Sequence, residues 1–236
     1  MKKKILVLLA GIMAAASLGA CGKKDNKDSG TQGTTRYTTE PTTGDTQDPI
    51  NDPIATGSDA TGNDAIKNLM GYYKSNEYYN ELAGFKVKVN GYSWKLYSAA
   101  DVAAAAGVEE KEIQDLWSGE TSPYEKDMSI CMIAGNKTTG SSIIISYYYV
   151  NNELNKDTTA AYYLQVAAGQ IEGCEVKEIN FMNKNYNAIV IPAETEGGYD
   201  QVRYAIKERG LIILISFTIG ANENIDMLEA MFSAIK

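Results

Sequence analysis

The chain has 236 residues, with 22 basic and 30 acidic side chains, a formal net charge of −8 and no histidine. An acidic surface repels phosphate backbones, so nucleic acid is excluded as an expected partner. The missing imidazole removes the commonest general base and the commonest nitrogen ligand for a metal.

The chain begins with Lys2, Lys3 and Lys4, runs through apolar residues from Ile5 to Ala16, and reaches Leu18-Gly19-Ala20-Cys21. A basic start, a short apolar run and small residues at a cleavage point make a secretory signal. The run falls short of the ~20 residues that cross a bilayer as a helix. A cysteine directly behind the small residues, followed by polar sequence, resembles the lipobox of bacterial lipoproteins. That resemblance implies cleavage before Cys21, lipidation of Cys21, and anchoring to the outer, extracytoplasmic face of the cell membrane. Residues 1–20 hold three lysines and no acid, so their removal takes the formal charge to −11.

Residues 21–63 then read as a linker behind the lipidated cysteine. They are rich in Thr, Gly and Asp and nearly devoid of large apolar groups. Such a segment cannot bury enough apolar surface to offset its ordering entropy, and it is expected to stay disordered.

Residues 64–236 are expected to form one globular domain. Asp64 can cap a helix through Ile66, Leu69, Met70 and Tyr73, continued by Tyr78, Tyr79 and Leu82 after a break near Ser75-Asn76. Phe85, Val87 and Val89 alternate with polar residues as a half-buried strand. Asn90-Gly91 predicts a hairpin turn into Tyr92, Trp94 and Leu96. Ser98 with Asp101 predicts a capped helix stopped by Gly107, and Glu109 to Trp117 a second helix stopped by Gly119.

Apolar, β-branched segments at 129–134 and 142–150 predict two strands. A helix opened by Asp157 or Thr158 carries Ala161, Leu164, Ala168 and Ile171. Four strands then follow at 175–182, 186–193, 199–207 and 211–219. Gly197-Gly198 and Arg209-Gly210 mark reversals, and short reversals make antiparallel neighbours. In the third of these strands Val202, Tyr204 and Ile206 share one face, with Gln201, Arg203 and Lys207 on the other. Residues 211–219 are apolar on both faces, as in a central strand covered on both sides. Asn222 is placed to cap a final helix with Ile225, Leu228, Met231, Phe232 and Ile235 as its buried stripe. The expected fold class is α+β: a single antiparallel sheet sandwiched by helices.

This order resembles the PsbP/Mog1 family in the broad sense. The resemblance is carried by Gly84-Phe85-Lys86-Val87 leading to Gly91-Tyr92-Ser93-Trp94, by the helix opened at Ser98, by residues 141–150 followed by a helix, and by the long meander ending at Ile219. It covers residues 84–236 and implies a sheet between helices. It implies little chemistry, because such folds serve diverse partners.

Catalytic motifs are missing: there is no Gly-rich phosphate loop, no Gly-x-Ser-x-Gly and no cysteine pair at metal spacing. The carboxylate pairs Glu109-Glu110 and Glu194/Glu196 sit at a helix start and beside a turn, where capping and solvation explain them. No catalytic residue, metal or cofactor is expected. Cys131 and Cys174 form a candidate disulfide for an oxidising compartment, although both also suit buried reduced thiols. Trp117, Tyr147 and Tyr149 are candidate partner contacts, since exposed aromatics favour interfaces; half-buried packing is the alternative. The expected function is a membrane-anchored, non-catalytic binding or assembly module whose partner is an envelope or membrane protein. A small-solute or sugar-binding lipoprotein feeding a transporter is the second possibility.

Overall fold

Four tyrosines flank Ser75-Asn76, and the chain folds back on itself there as a hairpin. Strand β1 (Tyr72–Lys74) pairs antiparallel with β2 (Glu77–Asn80). Ser75 and Asn76 take φ values of 52° and 61°, the left-handed pair of a tight primed turn. The helix expected here is therefore a strand pair over residues 72–80. Aromatic residues favour pleated surfaces, and the break at Ser75-Asn76 is the turn itself. The computed structural model describes residues 70–89, 93–121, 124, 128–150, 157–171, 173–193 and 198–235. The chain divides into two units, residues 21–61 and the remainder, and all described residues belong to the latter. Cys21, the signal segment and the linker lie outside the described residues.

Strand β3 (Phe85–Val87) pairs with β2 on one side. On its other side lies β11 (Phe232–Ala234), contributed by the far end of the chain. These make a four-stranded sheet in the order β1-β2-β3-β11. The second sheet has seven strands. They are β4 (Trp94–Leu96), β5 (Met128–Asn136), β6 (Ser142–Tyr149), β7 (Glu175–Phe181), β8 (Lys184–Ile191), β9 (Asp200–Glu208) and β10 (Leu211–Ile219), in the order β4-β5-β6-β10-β9-β8-β7. The pairings within both sheets are antiparallel, so the α+β class holds while the single sheet becomes two. Segments 85–87 and 94–96, expected as one hairpin, go to different sheets. Asn90 and Gly91 between them lie outside the described residues.

β10 occupies the centre of the larger sheet, matching its apolar character on both faces. One face packs against the small sheet through a cluster of rings. Phe181 stacks on Tyr204 at 4.7 Å, and Phe232 sits 5.1 Å from Phe181, 5.5 Å from Phe217 and 5.4 Å from Phe85. This is why the last helix is short. Helix α4 (Ile225–Glu229), capped by Asn224, stops so that Phe232 can enter the core as part of β11. Polar groups buried between the sheets are satisfied there: Asn80 Nδ2 donates to the Tyr147 hydroxyl, and the Tyr78 hydroxyl donates to the Met70 carbonyl at 2.9 Å.

Three helices adjoin the other face. α1 (Ala99–Ala106) has the expected capping box of Ser98 and Asp101 and ends at Gly107, with φ 68°. α2 (Glu110–Ser118) carries Glu110 and Glu112 in its first turn and ends at Gly119, with φ 75°. α1 and α2 pack on each other and on β5. α3 (Ala160–Ala168), capped by Thr159, packs on β7, β8 and β9 and covers Ile189, Ala205, Ile212 and Leu214.

The segment between β10 and α4 is tied back to the β5–β6 turn. Glu223 accepts hydrogen bonds from Trp94 Nε1 at 3.0 Å, Asn136 Nδ2 at 3.1 Å and Thr139 Oγ1 at 2.9 Å. Burial pushes this carboxyl up, but hydrogen bonds from Ser141, Trp94, Thr139 and Asn136 outweigh it and hold the group below its ordinary value.

Candidate binding groove

Between the α1–α2 pair and the larger sheet lies a cavity of about 180 Å³. Strand register fixes its floor. Ser216 on β10 stands opposite Arg203 on β9 and opposite Ile144 on β6. Ser146 is two residues from Ile144 and shares its face. The walls are small and apolar: Ala105 and Ala106 close α1, Val108 follows, and Ile113 and Leu116 face inward from α2. Glu112 lies on the α2 side.

Arg203 is the unusual member of this set. It is only 5% exposed, in a strand otherwise apolar between Val202 and Ile206. One N–H group, on Nη2, donates to Gln201 Oε1 at 2.8 Å, while Nε is buried without a hydrogen-bond partner. Among the described residues no carboxylate lies within ion-pair distance of it. Burial pushes its pKa down, with the Tyr163 hydroxyl and the Cys174 thiol acting weakly the other way. An arginine stays charged at neutral pH even so. The floor therefore holds a largely desolvated positive charge with at least one donor, Nε, unpartnered.

The residues singled out from sequence fall elsewhere. Tyr147, expected at a partner surface, is 2% exposed and hydrogen-bonded to Asn80 in the core between the sheets. Trp117 is half-buried. Its ring lies 4.3 Å from Tyr73 and its indole N–H donates to the Cys131 carbonyl at 2.9 Å. Tyr149 is half-buried and meets Tyr124 edge-on at 5.2 Å. Each of these rings has a packing partner, and Tyr147 is withdrawn from the surface. Cys131 and Cys174 are free thiols. Cys131 belongs to the larger apolar cluster and Cys174 packs against the one under α3, and the two are not bridged. Glu109 stands at the N-cap of α2 without a side-chain capping bond, and Glu194 and Glu196 lie outside the described residues.

The alternation in β9 puts Arg203 on the face opposite Val202, Tyr204 and Ile206 and gives no sign of its burial. The signal that marks it is the pair of serines. Ser146 and Ser216 each interrupt an apolar strand at its middle, on the face that Arg203 shares. Among the described residues no group of His, Cys, Asp or Glu is placed to hold a metal, and no helix is long and apolar enough to cross a membrane.

No protein-family model matches the chain, and no curated protein matches it. Solved structures do. One is a crystal structure from Bacteroides thetaiotaomicron, 12% identical, with a TM-score of 0.36, covering 70% of this chain and 50% of that one. The chain thus spans about half the length of that protein. Another is the solution structure of the cyanobacterial PsbP protein CyanoP from Synechocystis, also 12% identical, with a TM-score of 0.34, covering 67% of this chain and 91% of that one. A PsbP-like protein is therefore among the structures to which this chain is weakly similar.

Proposed function

We propose that this chain is a lipid-anchored extracytoplasmic lipoprotein with a non-catalytic, PsbP/Mog1-like binding domain, and that its ligand is a small solute seated in the groove beside α1 and α2. The observation that supports this reading is the groove itself: mostly apolar walls from α1, α2 and β5, with a few serines and a buried arginine among its lining. Small-molecule sites have this composition, mostly apolar with a few converging polar groups. The aromatic residues first considered for docking an envelope protein are engaged in packing, which shifts the weight from assembly to solute binding. The anchor reading rests on Leu18-Gly19-Ala20-Cys21, and the acidic surface favours a domain held off an anionic membrane.

The test is a melting screen of the detergent-solubilised full-length protein against small sugars, amino acids, organic acids and neutral amides. At least one solute class should raise the melting temperature, and Ala106→Phe, which fills the groove, should abolish that rise. If no solute raises it while cross-linking in membranes traps a protein partner on the domain, the module is an assembly factor instead. For the anchor, metabolic labelling with a fatty-acid probe should mark the parent protein and not Cys21→Ala.

A further inference from the structure

We infer that the groove takes a small monocarboxylate with a short apolar tail, the carboxylate paired to Arg203 and the tail lying against α1 and α2. The inference rests on the groove being the ligand seat and adds the chemistry of what fills it. A guanidinium has five N–H donors in a planar fork that matches a carboxylate two bonds at a time. In this protein Gln201 takes one donor, and Nε is buried with none. A buried charge without a counter-ion is costly, and proteins ordinarily pair it. Among the described residues no carboxylate lies within ion-pair distance of Arg203. In this proposal the carboxylate of a ligand seated in the groove completes the pair. Ser216, directly across the strand pair, adds a hydroxyl on the same face.

Size and charge narrow the class. An apolar cavity of about 150 Å³ holds benzene, so about 180 Å³ accommodates roughly six to nine non-hydrogen atoms. Ala106, Val108, Ile113 and Leu116 offer that space only apolar contacts, which suits an aliphatic or phenyl tail and not a sugar. A second carboxylate on the ligand would be buried against those apolar walls without a partner, which is costly. One charge is accepted and two are refused.

Calorimetric titration of the full-length protein with benzoate and butyrate, against benzamide and succinate, tests this. Benzoate or butyrate should bind, with benzamide and succinate at least about 10-fold weaker. Arg203→Met should weaken the acid by about 10- to 100-fold, the worth of a charge-assisted bond pair, and leave benzamide unchanged. Should Arg203→Met fail to fold, Arg203→Lys keeps the charge but loses the fork and should weaken the acid in the same direction. Ala106→Phe should abolish binding of acid and amide alike. Benzamide binding as tightly as benzoate, with Ala106→Phe blocking both, would overturn the carboxylate assignment while the groove stands. Benzoate binding that survives Ala106→Phe would place the site elsewhere and overturn the groove reading as well. No binding of either acid at millimolar concentration overturns the proposal outright.

Discussion

Replacing Glu223 with Ala should destabilise the domain by about 3 kcal/mol. The carboxylate accepts hydrogen bonds from Trp94, Asn136 and Thr139, with Ser141 also supporting its charge, and thereby joins the segment after β10 to β4 and the β5–β6 turn. Trp94 is 7% exposed and Asn136 6% exposed, so truncation strands two buried donors. A stranded buried donor costs about 1–3 kcal/mol, and the lower half of that range applies because Glu223 itself is half-buried and water can enter. Thr139 can turn its hydroxyl to Ser141, 3.2 Å away, and adds little. For a domain of this size about 3 kcal/mol lowers the melting temperature by roughly 6–12 °C. Glu223→Gln keeps an acceptor and should cost less than half as much. The folded-state pKa lies below the unfolded value, so the contribution of Glu223 is present above the unfolded pKa and is lost as pH falls through the folded one. The gap in melting temperature between parent and Glu223→Ala should therefore be largest near neutral pH and narrow in acid. A Glu223→Ala protein melting within about 1 °C of the parent at pH 7 would refute the latch.

Gly220→Ala should act at the same place by overpacking. A Cβ there would sit 2.0 Å from the Thr139 carbonyl oxygen and 2.8 Å from the Ser141 nitrogen, both backbone, so the expected loss is about 3 kcal/mol in chemical denaturation. Gly135→Ala, whose Cβ would meet the Tyr97 side chain, its hydroxyl at 3.0 Å and its ring at 3.2 Å, should cost less. Thiol titration of the native protein should modify half-buried Cys174 and spare Cys131 until unfolding, and reductant should leave the melting temperature unchanged. Glu77 accepts from the Tyr79 hydroxyl and from Lys86, which together pull its pKa down to about 2 against the opposing effect of burial. Its contribution is complete above the unfolded pKa of about 4.3 and disappears as pH falls toward 2, so hydrogen exchange in β2 and β3 should quicken over that interval in the parent but change less in Glu77→Gln.

The local grammar of this chain was readable where a single element satisfies itself. Ser98 with Asp101, Gly107 and Gly119 bound two helices because caps and left-handed stops act within a few residues. The meander from Glu175 to Ile219 was readable because each strand pairs with its neighbour in sequence. What escaped depends on distant partners. β11 has three residues and no strand signature of its own; it is a strand because Phe85, Phe181 and Phe217 surround Phe232, and helical spacing over 225–235 described the same apolar residues equally well. Tyrosines 72–79 likewise fit a helix stripe until Ser75 and Asn76 are seen to take the left-handed turn that makes them a hairpin.

The same dependence hides the groove. In β9, Gln201, Arg203 and Lys207 alternate with apolar residues, which is the pattern of a strand with one wet face. Lys207 is exposed and fits that pattern. Arg203, four residues earlier on the same face, does not: α3 packs on β9 and brings Tyr163 beside it, and the groove under α1 and α2 opens next to it, while Lys207 stays exposed. Burial of a face is thus decided residue by residue by which helix passes overhead, and no alternation within one strand contains that information. The serines are the trace it does leave. Ser146 and Ser216 lie on different strands separated by about 70 residues, and only the β6–β10 register puts them on one face with Arg203. An apolar strand that keeps a serine at its centre, twice, on the face that also carries a buried arginine, forgoes packing that Val or Ile would supply at about 1.5–3 kcal/mol each. A polar floor kept at that cost in the interior of a sheet is the physical reason to look for a charged occupant there.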